Sequence, residues 1–237
     1  MKRIVLNDLY DYKNRKIYQL SEAFKFSLDS ILLAEYVSIK NKNQKIVDFC
    51  TGNAVVPLII SGKHENKIFG IEIQSTISDI ANKSVLYNHL ENQISIINDS
   101  VLEINKYFNS ESVDIVTCNP PYFKLESTSL INENNIKAIA RHEITINLEQ
   151  IIKSAHYILK NNGYLYMVHR SSRLEEIIMY LNKYHFAVKE IQPIYTKENS
   201  DCELVIIKAL KNGNMTLKIK TPIFTDKLNT YQDIFRK

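Results

Sequence analysis

Three short apolar runs in the first hundred residues each deliver a carboxylate or a turn to one edge, and that repetition narrows the architectures open to the chain. Lys45-Ile46-Val47-Asp48-Phe49-Cys50 has the composition of a buried strand and ends at Thr51-Gly52-Asn53-Ala54, after which Val55 to Ile60 is apolar and opens a helix. Lys67-Ile68-Phe69-Gly70-Ile71 ends in Glu72-Ile73-Gln74, and Ile94 to Ile97 ends in Asn98-Asp99-Ser100. A glycine turn at a strand's carboxyl end, feeding a helix N-terminus, is the switch-point site of a doubly wound α/β sheet, where ligands bind.

A fourth apolar run, Val113-Asp114-Ile115-Val116-Thr117-Cys118, leads into Asn119-Pro120-Pro121-Tyr122. This tetrapeptide suits a planar exocyclic amine, whose delocalised lone pair makes it a poor nucleophile until acceptors hold its two N–H bonds. The Asn119 side-chain oxygen and the Pro120 carbonyl are the expected acceptors. Two consecutive prolines fix φ and set the carbonyl directions in advance, so little reorganisation is left for the reaction. Tyr122 is expected to stack on the flat substrate. Methyl transfer to such an amine depends on positioning rather than on a strong base.

The cofactor expected beside it is S-adenosylmethionine rather than a dinucleotide. A pyrophosphate needs the full G-x-G-x-x-G and no anion nearby, whereas Gly52 stands alone and the edge carries Asp48, Glu72 and Asp99. Those carboxylates suit a sulfonium, an ammonium and a ribose: Glu72 can accept from both ribose hydroxyls, and Asp99 from an adenine amine.

Asp48-Phe49-Cys50-Thr51-Gly52-Asn53, Gly70-Ile71-Glu72-Ile73-Gln74, Thr117 to Phe123 and Ala140-Arg141-His142-Glu143 together resemble the bacterial tRNA adenine-N6 methyltransferases that modify valine tRNA beside the anticodon. Phe24 to Ala34 is similar to that family's stretch before the first strand, and Val168-His169-Arg170 with Arg173-Leu174 to its stretch after the fifth. The resemblance spans nearly the whole chain. It implies a Rossmann-like class I methyltransferase with S-adenosyl-L-methionine as cofactor and tRNA as substrate, working in the cytoplasm. It also implies that Asp48 and Gly52 shape the methionine end of the cofactor pocket, with Thr51 and Asn53 beside them. Glu72 and Ile73 would meet the ribose, Asp99 and Ser100 the adenine, and Phe26, Leu28 and Asp29 would cover the methionine moiety. Asn119, Pro120, Pro121 and Tyr122 would form the catalytic set, with Asn119 also touching the cofactor. One departure stands out: that family usually has a second glycine where this chain has Ala54. The turn is expected to take alanine in a helical conformation; weakened cofactor affinity is the alternative.

Charge is uneven along the chain. Residues 1–122 carry 13 Lys and Arg against 14 Asp and Glu, and residues 123–237 carry 17 against 12, within a formal net charge of +4. A mildly basic downstream half is the direction expected for an RNA partner, since phosphate contacts supply the sequence-independent part of affinity. Lys124, Arg141, His142, Arg170 and Arg173 are the candidate RNA contacts. Arg173 is equally placed to pair with Glu176 one helical turn on. The polar stretch 124–143 is expected to fold over a flipped base.

The remaining patterns place a fifth strand at Gly163–His169 and a closing pair at Phe186–Ile191 and Glu203–Leu210. This makes a seven-stranded mixed sheet with helices on both faces and one strand reversed at the edge. The expected organisation is a single domain: residues 1–44 covering the cofactor, 45–210 as the catalytic core, and 211–237 packing outside the sheet. Three cysteines, Cys50, Cys118 and Cys202, lack C-x-x-C spacing and read as reduced core residues of a cytosolic protein. The six histidines lack H-E-x-x-H spacing, so no metal is expected. The opening apolar run breaks at Asn7-Asp8, too early for a signal peptide, and no stretch approaches the ~20 apolar residues of a membrane span. Two other functions fit parts of this reading. A protein glutamine amide presents the same N–H pair, although only 47 residues precede Asp48, where glutamine methyltransferases carry a substantial helical domain. A non-catalytic RNA-binding module on a methyltransferase scaffold would also account for Ala54.

Overall fold

The computed structural model describes residues 3–9, 12, 15–21, 28–122, 146–228 and 234. Five helices lie among them: α1 (Leu28–Tyr36), α2 (Val55–Ser61), α3 (Ser75–Tyr87), α4 (Leu148–Ile158) and α5 (Leu174–Lys183). The strands are β1 (Ile4–Asp8), β2 (Lys16–Leu20), β3 (Ile46–Phe49), β4 (Ile68–Ile71), β5 (Ile94–Ile97), β6 (Val113–Cys118), β7 (Leu159–Arg170), β8 (Phe186–Tyr195), β9 (Cys202–Lys211), β10 (Lys218–Ile219) and β11 (Ile223–Phe224). Phe26, Lys124, Arg141 and His142 fall outside the described residues, as does the stretch expected to fold over a flipped base.

The expected seven strands are present in the order β8-β9-β7-β6-β3-β4-β5, with β3, β4, β5, β6 and β7 parallel. The reversed strand is not at the edge. β9 is antiparallel to both β7 and β8 and lies between them. The short β10 and β11 then pair parallel with β8 and extend the sheet's edge, while Leu228 and Ile234 beyond them pack against the core that α1, α2 and α3 share with the sheet. A hairpin turn joins β8 and β9, but nothing in their local pattern says on which side of β8 the chain returns.

Side chains alternate across the buried strands, so the sheet feeds two cores. Ile46, Ile115, Tyr166, Val168 and Ile206 face α1, α2 and α3, while Val47, Phe49, Val116, Leu165 and Met167 face α4 and α5. α4 begins at a capping box in which the Asn147 side chain accepts from the Gln150 N–H and the Gln150 side chain accepts from the Asn147 N–H, both at 2.9 Å. The β1–β2 hairpin leans on α3: Tyr18 N donates to Ser84 Oγ at 2.9 Å, and the Asn88 side chain brackets Lys16, accepting from its N–H at 3.0 Å and donating to its carbonyl at 2.7 Å. Among the described residues no helix is long and apolar enough to cross a membrane.

Lys211, 3% exposed at the end of β9, ties the lower edge together. Its ammonium donates to the carbonyls of His156 and Leu159 at 2.8 Å each and to Glu111 Oε1 at 3.1 Å, so a cation sits on the last carbonyls of α4, where the helix dipole favours it. Lys211→Met keeps the aliphatic stem and strands both carbonyls. The expected cost is about 2–3 kcal/mol in a denaturant titration with an unchanged slope; a loss under about 0.5 kcal/mol would mean that water replaces the ammonium.

Candidate active site

The turn after β3 is organised around one buried carboxylate. Asp48 is 2% exposed, and the Cα register places it opposite Thr117 of β6 on one side and Gly70 of β4 on the other. Thr117 Oγ1 donates to one carboxylate oxygen at 2.5 Å and Thr51 Oγ1 to the other at 2.6 Å. Gly70 makes the second contact possible: a Cβ there would lie 2.8 Å from both Thr51 Oγ1 and Thr51 Cγ2. Burial pushes the Asp48 carboxyl up to about 7 against the pull of the two hydroxyls, and the nearby charge of Glu72 adds to the rise.

The turn reverses direction through three left-handed residues, Cys50 (φ +55°), Gly52 (φ +55°) and Ala54 (φ +66°). Ala54 therefore does not sit in a right-handed helical conformation, as expected from the sequence. It is the left-handed residue immediately before α2, fully buried, and a non-glycine residue there costs roughly 1–2 kcal/mol. Gly52, by contrast, faces open space: a Cβ would meet nothing within 4 Å.

Glu72, 5% exposed, closes the turn from β4. Its carboxylate accepts from the Gly52 N–H at 3.0 Å and from the Gln74 N–H at 2.9 Å, while burial raises its pKa. Ile73 beside it is an exposed apolar side chain, and Asn98 donates to the carbonyls of Glu72 and Ile73 at 2.8 and 3.2 Å. Asp99 has partners of its own. It accepts from Tyr107 Oη at 2.8 Å and from the Ser100 N–H at 2.7 Å, with Lys106 at 3.6 Å, and the Tyr107 bond leads in drawing its pKa down. Ser100 caps the short 3-10 turn Val101–Lys106, accepting from Leu102 N.

At the end of β6 the Asn119 carboxamide is oriented from both sides. Its Nδ2 donates to Ser30 Oγ at 2.8 Å, and its Oδ1 lies 2.7 Å from the Tyr122 hydroxyl. That hydroxyl is also 2.7 Å from Asp29 Oδ2. The Tyr122 ring packs on His169 at 5.0 Å between centroids, with the Arg170 guanidinium 5.5 Å from the ring centroid. Burial and Asp29 hold the phenol well above its ordinary pKa. His169 is pulled down to about 4 by burial and then by Arg173; its Nδ1 accepts from Arg170 N at 2.8 Å, so the neutral ring carries its proton on Nε2.

The expected residues thus fall into two clusters on one edge. Asp48, Thr51, Gly52 and Glu72 converge around the first turn, with Asn53 and Ile73 next to them in the chain. Asn119 and Tyr122 converge with Asp29 on the second, with Pro120 and Pro121 between them in the chain. Leu28 starts α1 immediately before Asp29. Arg170 joins the second cluster and pairs with Glu203. Arg173 makes a bidentate, largely buried pair with Glu176 at 3.0 and 2.9 Å, the partner its spacing allowed. The sequence reading missed Ser30, Thr117, His169 and Gly70. Thr117 is the one polar side chain in the last four residues of β6, which was a usable signal; the other three are revealed only by pairing.

Residues 24–192 match the family model described as methyltransferase small domain. The chain belongs to that family. Relatives in it include proteins named tRNA1(Val) (adenine(37)-N6)-methyltransferase from Porphyromonas gingivalis, 22% identical and covering 84% of this chain and 79% of the relative, and from Bacteroides thetaiotaomicron, 22% identical and covering 90% and 87%. A third of the same name, from Cytophaga hutchinsonii, is 24% identical over 81% of this chain and 79% of its own. The methyltransferase fold is equally clear from solved structures. An Agrobacterium tumefaciens protein described as a predicted O-methyltransferase superposes with a TM-score of 0.68 at 19% identity, covering 83% of this chain and 87% of that one. Geranyl diphosphate C-methyltransferase from Streptomyces coelicolor, solved with S-adenosyl-L-homocysteine, superposes at 0.58 with 9% identity, covering 78% and 76%.

In this methyltransferase the buried Asp48 carries a cost when ionised. Its folded pKa of about 7 lies above the ordinary 3.8, so its contribution to stability is complete below about pH 4 and is lost as pH rises through 7. Asp48→Asn, uncharged at every pH, is expected to be more stable than the native protein at pH 8, by up to roughly 4 kcal/mol, and so to melt higher, with the gap closing towards pH 5. Melting curves across that range that run parallel would contradict this.

Proposed function

We propose that this protein transfers a methyl group from S-adenosyl-L-methionine to the exocyclic N6 amine of an adenine in tRNA, the adenine 3′ of the anticodon in valine tRNA being the first candidate. One observation carries the reading: the Asn119 carboxamide, its Nδ2 tied to Ser30 Oγ, aims Oδ1 as an acceptor at the tip of β6, while the strand beside it carries the buried Asp48 and the next strand but one ends at the buried Glu72. The names of the relatives supply the substrate class.

The residues of the first turn fit the cofactor. Gly52 leaves room where a Cβ would stand, and Asp48 and Glu72 are buried carboxylates whose raised pKa values a cationic ligand would relieve. Glu72, beside the Gly52 N–H, would take the ribose hydroxyls, with exposed Ile73 against the flat part of the nucleoside. Asp99 and Ser100 would face the adenine, and Thr51, Asn53 and Leu28 would line the methionine end. When bound, the cofactor supplies an electrophilic methyl.

The chain's own part is orientation. Asn119 Oδ1 and the Pro120 carbonyl accept the two N–H bonds of the target amine, which turns the lone pair out of conjugation and towards the methyl. Pro120 and Pro121 keep those acceptors in place with no donor of their own to compete. Arg170 provides positive charge at the rim for the RNA backbone, and Lys124, Arg141 and His142 are further candidates.

Incubation with labelled cofactor and total tRNA lacking this modification, followed by mass spectrometry of the nucleosides, tests the whole reading: N6-methyladenosine is the expected product, and label elsewhere or nowhere rejects it. Asn119→Ala should lower turnover by about 10²–10³-fold with cofactor affinity within about threefold of native, because it removes an acceptor for the target amine; parallel losses in rate and affinity would reassign the residue. Cofactor affinity should also depend on pH. A cation favours ionised Asp48, so binding below pH 7 must expel a proton, and the dissociation constant should rise about tenfold as pH falls from 8 to 6. Titration calorimetry in buffers of different ionisation heat reads both quantities, and no proton release at pH 6 would exclude Asp48 as the coupled group.

A further inference from the structure

One phenolic proton at Tyr122 faces two acceptors at equal distance. The hydroxyl is 2.7 Å from Asn119 Oδ1, the oxygen required by the target amine, and 2.7 Å from Asp29 Oδ2, in the first turn of α1. A tyrosine hydroxyl has a single proton and donates to one partner at a time. If it donates to Asn119, it competes with the incoming amine. If it donates to Asp29, the phenol and carboxamide oxygens face each other with no proton between them, repel, and open a gap that an N–H donor fills. A carboxylate is the stronger acceptor of the two, because a hydrogen bond to an ionised group is about twice as strong as one between neutral groups.

We propose that Asp29 is a positioning residue that draws the Tyr122 proton away from Asn119 and so leaves the carboxamide oxygen to the target amine; this rests on reading the site as an amine methyltransferase. Ser30 completes the arrangement. By accepting from Asn119 Nδ2 at 2.8 Å it holds the carboxamide in the orientation that offers the oxygen, and not the NH₂, to a substrate. Two consecutive residues of α1 thus bear on a clamp about ninety positions downstream. The His169 ring and the Arg170 guanidinium hold the Tyr122 ring while its proton chooses.

A double-mutant cycle on the full chain tests this, with kcat/KM for tRNA and cofactor affinity both measured. Asp29→Ala should lower kcat/KM at least tenfold with cofactor affinity within threefold of native. In a Tyr122→Phe background, where there is no phenolic proton to divert, the same change should cost less than threefold. Asp29→Asn, which keeps the shape and an acceptor but not the charge, serves if the alanine variant does not fold; it should lower kcat/KM threefold to tenfold with tyrosine present and leave it unchanged with phenylalanine. Equal losses in the two backgrounds, a loss under threefold with tyrosine present, or a tenfold fall in cofactor affinity would overturn the proposal and return Asp29 to the cofactor site alone. A native protein that methylates no tRNA amine would instead overturn the underlying reading, and the proposal with it.

Discussion

The arrangement of the whole edge depends on the Asp48 carboxylate, which is shared between two strands and a turn. Thr117 brings β6 to it, Thr51 brings the loop, and Gly70 on the opposite neighbour supplies the space that lets Thr51 reach. Asn119 is two residues beyond Thr117, so the carboxamide at the tip of β6 is referred to the same carboxylate that organises the turn after β3. Loops alone would leave these two turns free to drift, and a misplacement of 1 Å can cost about a hundredfold in rate. Two hydroxyl donors on a buried acid in the middle of a parallel sheet hold them in register with no loop between.

Much of this was legible in the chain, for a physical reason: strands buried on both faces read as continuous apolar runs, and the polar residues that end them are where such a sheet can bind anything. Hence β3, β4, β5 and β6 and the carboxylates at their tips could be placed from residue type alone. What stayed hidden depends on pairing. Whether Asp48 meets Thr117 is a matter of register between segments some seventy residues apart. Asp29 and Ser30 belonged to an apolar helical stretch whose neighbours could not be inferred. Asp99 was assigned to a ligand without its competing partners Tyr107 and Lys106, which a 3-10 turn brings round. The insertion of β9 between β7 and β8 is decided by where the last strands find unpaired edges, and β10 and β11, of two residues each, are below the length at which periodicity means anything.

Ala54 shows how local preference yields to a tertiary demand. Alanine is the best helix former and sits one residue before a helix, so a right-handed conformation was the natural expectation. The turn instead needs left-handed backbone at alternate positions, Cys50, Gly52 and Ala54, to carry the chain from the tip of β3 into α2 within five residues. Glycine is used only at Gly52, the position that opens on empty space, and the two side chains that bear the strain are packed against protein: Ala54 in the α1–α2–α3 core and Cys50 against the other. Their buried contacts offset part of the backbone cost.

The site therefore concentrates several unfavourable terms in a few residues: a carboxylate ionising near neutrality, a second buried one beside it, and two non-glycine residues at positive φ. A positive charge bound beside them would lower the first two directly, since each raised pKa is free energy that returns when an opposite charge arrives. The backbone strain does not return; it buys a fixed turn. The second cluster carries less: its one carboxylate, Asp29, lies against the Tyr122 hydroxyl. Asn119 is neutral, the two prolines are rigid, His169 is kept neutral by burial, and Arg170 is balanced by Glu203. On the reading proposed above, a lightly charged second cluster beside a turn loaded with two carboxylates suits a reaction in which charge leaves the donor and appears on the amine.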